Sequence, residues 1–133
     1  MFKDKIISEF EGKNILILGF GKEGKTTYDF LKSNNVNCKI SIADKNKDID
    51  ISCDAEMYLG EDYIDSIYKA WDIIIKSPGI SFKEIDLNKV TATLTSQTEL
   101  LLKHGKNKII GITGTKGKST TSTLLYNILN KKY

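Results

Sequence analysis

The sequence predicts an α/β domain, a mostly parallel sheet with helices on both faces. Three observations predict it. Short apolar runs such as Ile15–Leu18 in "KNILILGFG" and Ile73–Ile75 in "WDIIIKSPG" are continuous rather than alternating, as strands buried on both faces are. Segments of helical periodicity separate these runs, so strands and helices alternate along the chain. The first run also ends in a glycine-rich turn, "GFGKEG", that leads straight into a helical segment.

The elements follow in order. "KNILILGFG" is the first strand. "KEGKTTYDFLKSNN" carries Tyr28 and Leu31 among polar neighbours at helical spacing, and Asn34-Asn35 ends that helix. "CKISIADKN" is the second strand, closing on Asp44, and "AEMYLG" is a short third. "DYIDSIYKA" reads as helical, and "WDIIIKSPG" as a buried strand broken by Pro78-Gly79. "FKEIDLNKV" reads as a helix and "ATLTS" as a strand. "SQTELLLKHG" has a Ser96 cap and stops at Gly105. "NKIIGIT" reads as a further strand, and "KSTTSTLLYNILNKK" as a helix with Leu124, Leu125, Ile128 and Leu129 on one side. No repeat or low-complexity linker occurs. The polar "KHGKN", 103–107, marks a boundary after a domain over 1–105.

Composition narrows the class. The 133 residues suit about one domain and suffice to bury a core. With 40% hydrophobic and 28% charged residues the chain reads as globular. No apolar run approaches the ~18 residues of a membrane span. The N-terminal "MFKDKIISEF" has neither the long apolar core nor the cleavage site of a signal peptide. The net charge is +3 and the lysines are scattered, which argues for a local anion site and against a nucleic-acid face. Cys38 and Cys53 lack metal-ligand spacing and read as reduced thiols of a cytosolic protein.

Two motifs carry chemistry. In "GFGKEG", Gly19 permits the tight turn, Gly21 lets a phosphate approach the backbone, and Gly24 lets the helix pack closely on the sheet. The helix N-terminus behind them offers unpaired N–H groups to an anion. Asp44 follows Gly24 by 20 residues, at the end of the second strand, where a carboxylate can accept hydrogen bonds from a ribose or a base. Alone, this motif favours a dinucleotide such as NAD. The second motif is "GTKGKST" between a strand and a helix. The strict phosphate-loop pattern fails because Ile112 stands where it needs glycine. Even so, Gly114 and Gly117 let successive N–H groups face phosphate oxygens. Lys118 reaches the β- and γ-phosphates, and Ser119 or Thr120 holds Mg²⁺.

Three further features read plainly. "KSPGIS", Lys76 to Ser81, is a sharp turn of the kind found at the carboxyl edge of a parallel sheet. Glu99 sits in a first helical turn, where the helix dipole favours a carboxylate. His104, the only histidine, has no partner in view near a helix C-terminus and reads as a cap or surface residue.

In this order, "LGFGKEG", "ADKN", "SPGIS", "TELLL" and "IIGITGTKGKSTT" resemble the N-terminal part of a Mur ligase over nearly the whole chain. The "GFGKEG" and "SPGIS" pair resembles the D-glutamate-adding branch. The resemblance implies a Rossmann-like domain for a UDP-sugar, followed by a central ATPase domain and a C-terminal domain. It implies a cytoplasmic bacterial enzyme of cell-wall precursor synthesis. There ATP phosphorylates the carboxylate of UDP-N-acetylmuramoyl-L-alanine and the amine of D-glutamate attacks the acyl phosphate. By this resemblance Gly19, Gly21, Lys22, Glu23 and Gly24, with Asp44, Lys45, Asn46 and Gly79, surround the UDP-sugar. Gly114, Thr115, Lys116, Gly117, Lys118, Ser119 and Thr120 cradle ATP. Lys116 departs from the asparagine usual in the family. The resemblance further implies that 106–133 opens a central domain whose remainder lies beyond Tyr133. Residues 1–133 alone are then expected to bind the UDP-sugar without catalysing ligation. The competing readings are an NAD-binding regulatory or oxidoreductase domain, which leaves "GTKGKST" unexplained, and a non-enzymatic nucleotide-sensing module.

Overall fold

The computed structural model describes residues 2–49, 55–106 and 108–131. Cys53 lies outside them, and Cys38 is a half-buried free thiol. Five strands form one sheet: β1 (Asn14–Leu18), β2 (Lys39–Asp44), β3 (Glu56–Leu59), β4 (Ile73–Lys76) and β5 (Thr93–Thr95). Their order is β3-β2-β1-β4-β5 and every neighbouring pair is parallel. β1 is therefore central, with Ile17 in register with Ile42 on one side and Ile75 on the other. Ile15 through Leu18 are wholly buried, as their unbroken apolar run requires.

Alternate side chains feed two cores. Ile15, Ile17, Ile42 and Ile75 face three α-helices, α1 (Phe2–Phe10), α2 (Lys22–Ser33) and α3 (Gln97–His104), which contribute Phe10, Tyr28, Leu31 and Leu100. Leu16, Leu18, Ala43 and Ile74 face Tyr63, Ile67, Trp71 and Ile85. This second face is covered by 3-10 structure and not by α-helix. Glu61–Tyr68 winds as a 3-10 helix whose Tyr63 and Ser66, three apart, both point inward. The Ser66 hydroxyl donates to the Tyr63 carbonyl, and the Ser66 carbonyl takes the Trp71 indole N–H, which locks the tighter winding. The helix expected over 82–90 is two single 3-10 turns, Phe82–Glu84 and Leu87–Lys89. Ser81 and Asp86 each accept an N–H two residues on, so Asp86 starts a new turn instead of continuing the first.

The predicted end of α2 and the predicted start of α3 both form. Asn35 adopts a left-handed φ of 50° after α2, and Ser96 accepts the Glu99 N–H to begin α3. The strand expected in 107–113 does not form in its described part. Residues 108–113 pair with nothing in the sheet, and Ile109 and Ile110 are more than half exposed. An apolar run has strand propensity, but only a partner satisfies its backbone. α4 (Lys118–Asn130) forms as expected, with Leu124, Ile128 and Leu129 exposed.

The sequence reading assigned no element to α1, although Ile6 and Phe10 stand at helical spacing. Nor is His104 without a partner. Glu9 of α1 accepts hydrogen bonds from both Lys103 and His104 of α3, residues more than ninety positions away. Burial pushes the Glu9 carboxyl up, but these two bonds outweigh it and hold it below the usual glutamate range. A depressed carboxyl stabilises the fold above its unfolded pKa and stops doing so as pH falls through its folded value. Glu9→Gln is therefore expected to cost about 1 kcal/mol near neutrality. The difference from the unaltered chain should begin to shrink as pH falls below the ordinary glutamate range and vanish once it is below the depressed folded value. Urea denaturation across that range checks this, and a difference that persists in acid rejects it.

Ser41 offers the opposite case. It is fully buried in β2 and its hydroxyl has no partner among the described residues. Ser41→Ala is expected to match or exceed the parent stability by up to about 1 kcal/mol, because it removes an unpaid desolvation. A clear loss on denaturation would reveal a partner for that hydroxyl.

Candidate functional site

The site lies at the carboxyl edge of the sheet, where β1, β2 and β4 end side by side. In this strand order the chain crosses to opposite sides of β1, and the crevice between β1 and β4 is where such sheets bind ligands. Gly19 leaves β1 with a φ of 89°, and a Cβ there would stand 2.8 Å from the Ser77 Cβ. Gly24, in the first turn of α2, sits so close to the loop that a Cβ would lie 2.1 Å from the Gly19 carbonyl oxygen. Gly21 is the N-cap of α2, open to solvent, with no side chain capping the first N–H groups. The helix thus presents uncapped donors and its positive end at the loop.

Asp44 ties the neighbouring loops together. One carboxylate oxygen accepts the Phe20 N–H at 2.6 Å and the other accepts the Asn46 N–H at 2.7 Å. Its role is thus partly to shape the glycine loop, a duty its sequence position did not reveal. Lys45 reaches Glu61 at 3.4 Å in an exposed pair, and Lys22 is exposed beside the loop. On the β4 side, the Ser77 hydroxyl donates to the Gly19 carbonyl at 2.9 Å. This brings the Ser77–Ile80 turn, with Gly79 exposed on it, against the glycine loop. Gln97 of α3 donates to the Glu23 carbonyl at 2.7 Å and to the Thr27 hydroxyl at 2.6 Å, bracing the first turns of α2. Beside the turn, a cleft of about 680 Å³ opens between the Lys76–Lys83 segment and the start of α3, where Glu99 lines it.

The structure thus gathers Gly19 to Gly24, Asp44 to Asn46 and Gly79 at one edge. Ser77 and Gln97, which the sequence did not single out, belong with them. Only the turn composition of "KSPGIS" signalled the first, and no local signal marked the second. The loop 114–120 stands apart. No hydrogen bond or ion pair among the described residues joins it to that edge, and Gly114 to Thr120 are all exposed. Its local geometry suits a phosphate cradle, with Gly114 and Gly117 at φ 145° and 76° and Gly117 capping α4. The Lys118 ammonium donates back to the Gly114 carbonyl at 2.6 Å. Among the described residues no three His, Cys, Asp or Glu converge as metal ligands, and no helix is long and apolar enough to cross a membrane.

Comparison with known proteins agrees with this geometry. The model of the Mur ligase MurD-like N-terminal domain matches residues 13–97. The UDP-N-acetylmuramoylalanine--D-glutamate ligase of Clostridium kluyveri is 31% identical over 131 residues, which cover 90% of this chain and 28% of that protein. That of Clostridium novyi (strain NT) is 32% identical over 143 residues, covering 96% and 29%. That of Oenococcus oeni is 24% identical over 123 residues, covering 90% and 26%. The chain thus spans a little over a quarter of the length of these curated relatives. With a continuous match across the sheet, the glycine loop and the Ser77–Ile80 turn, the chain belongs to the MurD-like N-terminal domain family of the Mur ligases.

Proposed function

We propose that the chain is the UDP-sugar-binding part of an ATP-dependent amide ligase that adds D-glutamate to UDP-N-acetylmuramoyl-L-alanine in peptidoglycan precursor synthesis, in the bacterial cytoplasm. The observation that carries this reading is the uncapped start of α2 at the β1–β4 crevice, with Asp44 on one side and the Ser77–Ile80 turn on the other. The pyrophosphate takes the N–H groups of the glycine loop and of the first turn of α2, with Lys22 beside them. The uridine lies toward Asp44, Lys45 and Asn46. The sugar leaves past Gly79.

Residues 106–133 form the start of an ATP-binding domain. Gly114 to Thr120 would hold the ATP phosphates, Lys118 among them, and the Ser119 or Thr120 hydroxyl would contribute to Mg²⁺. The loop's left-handed glycines and exposed N-terminal helix turn fit that group. ATP supplies the phosphoryl group that activates the substrate carboxylate. Phosphoryl transfer also needs a positioned acceptor and further metal ligands. Residues 1–133 alone are therefore expected to bind the UDP-sugar without turnover.

A melting assay tests the reading. At about a hundred times its dissociation constant, UDP-N-acetylmuramoyl-L-alanine should raise the midpoint by roughly 10 °C. Protection by NADH instead would favour the dinucleotide reading. Protection by neither would favour a module without this ligand. Phosphate release from ATP with both substrates, abolished by Lys118→Ala in the 133-residue chain, would reject the expected lack of turnover.

A further inference from the structure

Lys76, the last residue of β4, is only 8% exposed. A buried ammonium is costly unless it is compensated. Among the described residues no carboxylate pairs with it. Its compensation comes from one turn. The ammonium donates to the Ser77 carbonyl at 3.0 Å and to the Ile80 carbonyl at 2.7 Å, and it lies 4.6 Å from the centre of the Phe82 ring. Those two carbonyls are the two ends of the turn that holds Pro78-Gly79. The turn's own closing bond, from the Ile80 N–H to the Ser77 carbonyl, is long at 3.3 Å. Lys76 therefore adds two shorter bonds to that closure, one at each end of the turn.

The turn is also a wall of the ligand site. Its Ser77 hydroxyl grips the Gly19 carbonyl, and the Ser77 and Ile80 side chains stand 2.8 and 3.0 Å from where a Gly19 Cβ would be. A peptide group is planar and trans, so drawing the Ile80 carbonyl toward Lys76 turns the Ser81 N–H the opposite way. No hydrogen bond among the described residues uses the Gly79 or Ser81 N–H. Both are left as donors.

We propose that Lys76 is a positioning residue for the ligand site: its buried ammonium clasps the Ser77–Ile80 turn and so sets the wall and donor groups that the UDP-sugar meets beyond its pyrophosphate. This rests on the UDP-sugar reading above. A charge kept for positioning has a distinct signature, because an apolar side chain of similar length removes the cost of burial while loosening the turn.

Calorimetry with UDP-N-acetylmuramoyl-L-alanine, urea denaturation and amide exchange on the 133-residue chain test this with Lys76→Met and Lys76→Arg. Lys76→Met is expected to be as stable as the parent or more so, yet to bind about tenfold more weakly or worse. Its Ile80 amide should exchange about tenfold faster. Lys76→Arg keeps charged donors and should bind within about threefold of the parent. Parent-like affinity in Lys76→Met overturns the proposal. So does a Lys76→Met chain that fails to fold, since the lysine then serves the fold and not the site. If the parent itself does not bind the UDP-sugar, the ligand reading fails, and the Ile80 amide alone decides the role of Lys76. Unchanged exchange there overturns it.

Discussion

Gly24→Ala is expected to destabilise the domain by about 3 kcal/mol or more, at or beyond the top of the usual range for overpacking. The reason is geometric. The added methyl would lie 2.1 Å from the Gly19 carbonyl oxygen and 3.2 Å from the Ile17 methyl. The first is a backbone atom of the loop and the second belongs to the wholly buried central strand. Neither can move without displacing α2 from the sheet or opening the glycine turn. Either response also removes the proposed anion site, so UDP-sugar binding is expected to be lost with stability. Gly21→Ala is the control. A Cβ there meets nothing within 4 Å and its φ is an ordinary −71°. That variant should fold within about 0.5 kcal/mol of the parent, while the methyl intrudes where a phosphate would approach. Denaturation curves of the two variants side by side decide this, and a Gly24→Ala chain as stable as Gly21→Ala would reject the close packing.

Asp44→Ala is expected to weaken UDP-N-acetylmuramoyl-L-alanine binding by about 1.5–3 kcal/mol, the worth of hydrogen bonds to a charged group. That is roughly a 10- to 150-fold change in affinity. Two losses combine. The substitution removes an acceptor beside the proposed uridine position, and it strands the Phe20 and Asn46 N–H groups that shape the loops on either side. Asp44→Asn keeps one carboxamide oxygen for one of these donors and should fall between the two. Calorimetry measures all three chains. Unchanged affinity in Asp44→Ala would reject any role for it at the site.

Much of what depends on near neighbours in the chain was legible in the sequence, although α1 and the separate turn starts at Ser81 and Asp86 were not read from it. The continuous apolar runs announced buried parallel strands. Asn34-Asn35 and Ser96 announced helix ends because caps are made within a few residues. The glycines of "GFGKEG" were legible because a turn that tight, followed at once by a helix, admits little else. The tertiary structure alone decided what depended on residues far apart. It decided that 108–113, with a strand's composition, pairs with no strand. It also showed 3-10 turns over the second face of the sheet, where the contact that goes with them, Trp71 to the Ser66 carbonyl, is local but carries no pattern of its own in the sequence. It joined Glu9 to His104 and Gln97 to Glu23, pairs 95 and 74 residues apart. It also buried Lys76, which the sequence marked only as the start of a sharp turn, with its ammonium on that turn's carbonyls. A local pattern fixes a backbone's own hydrogen bonds and the direction of its apolar face. Which distant group completes a pair depends on how the elements stack, and no window of the sequence carries that information.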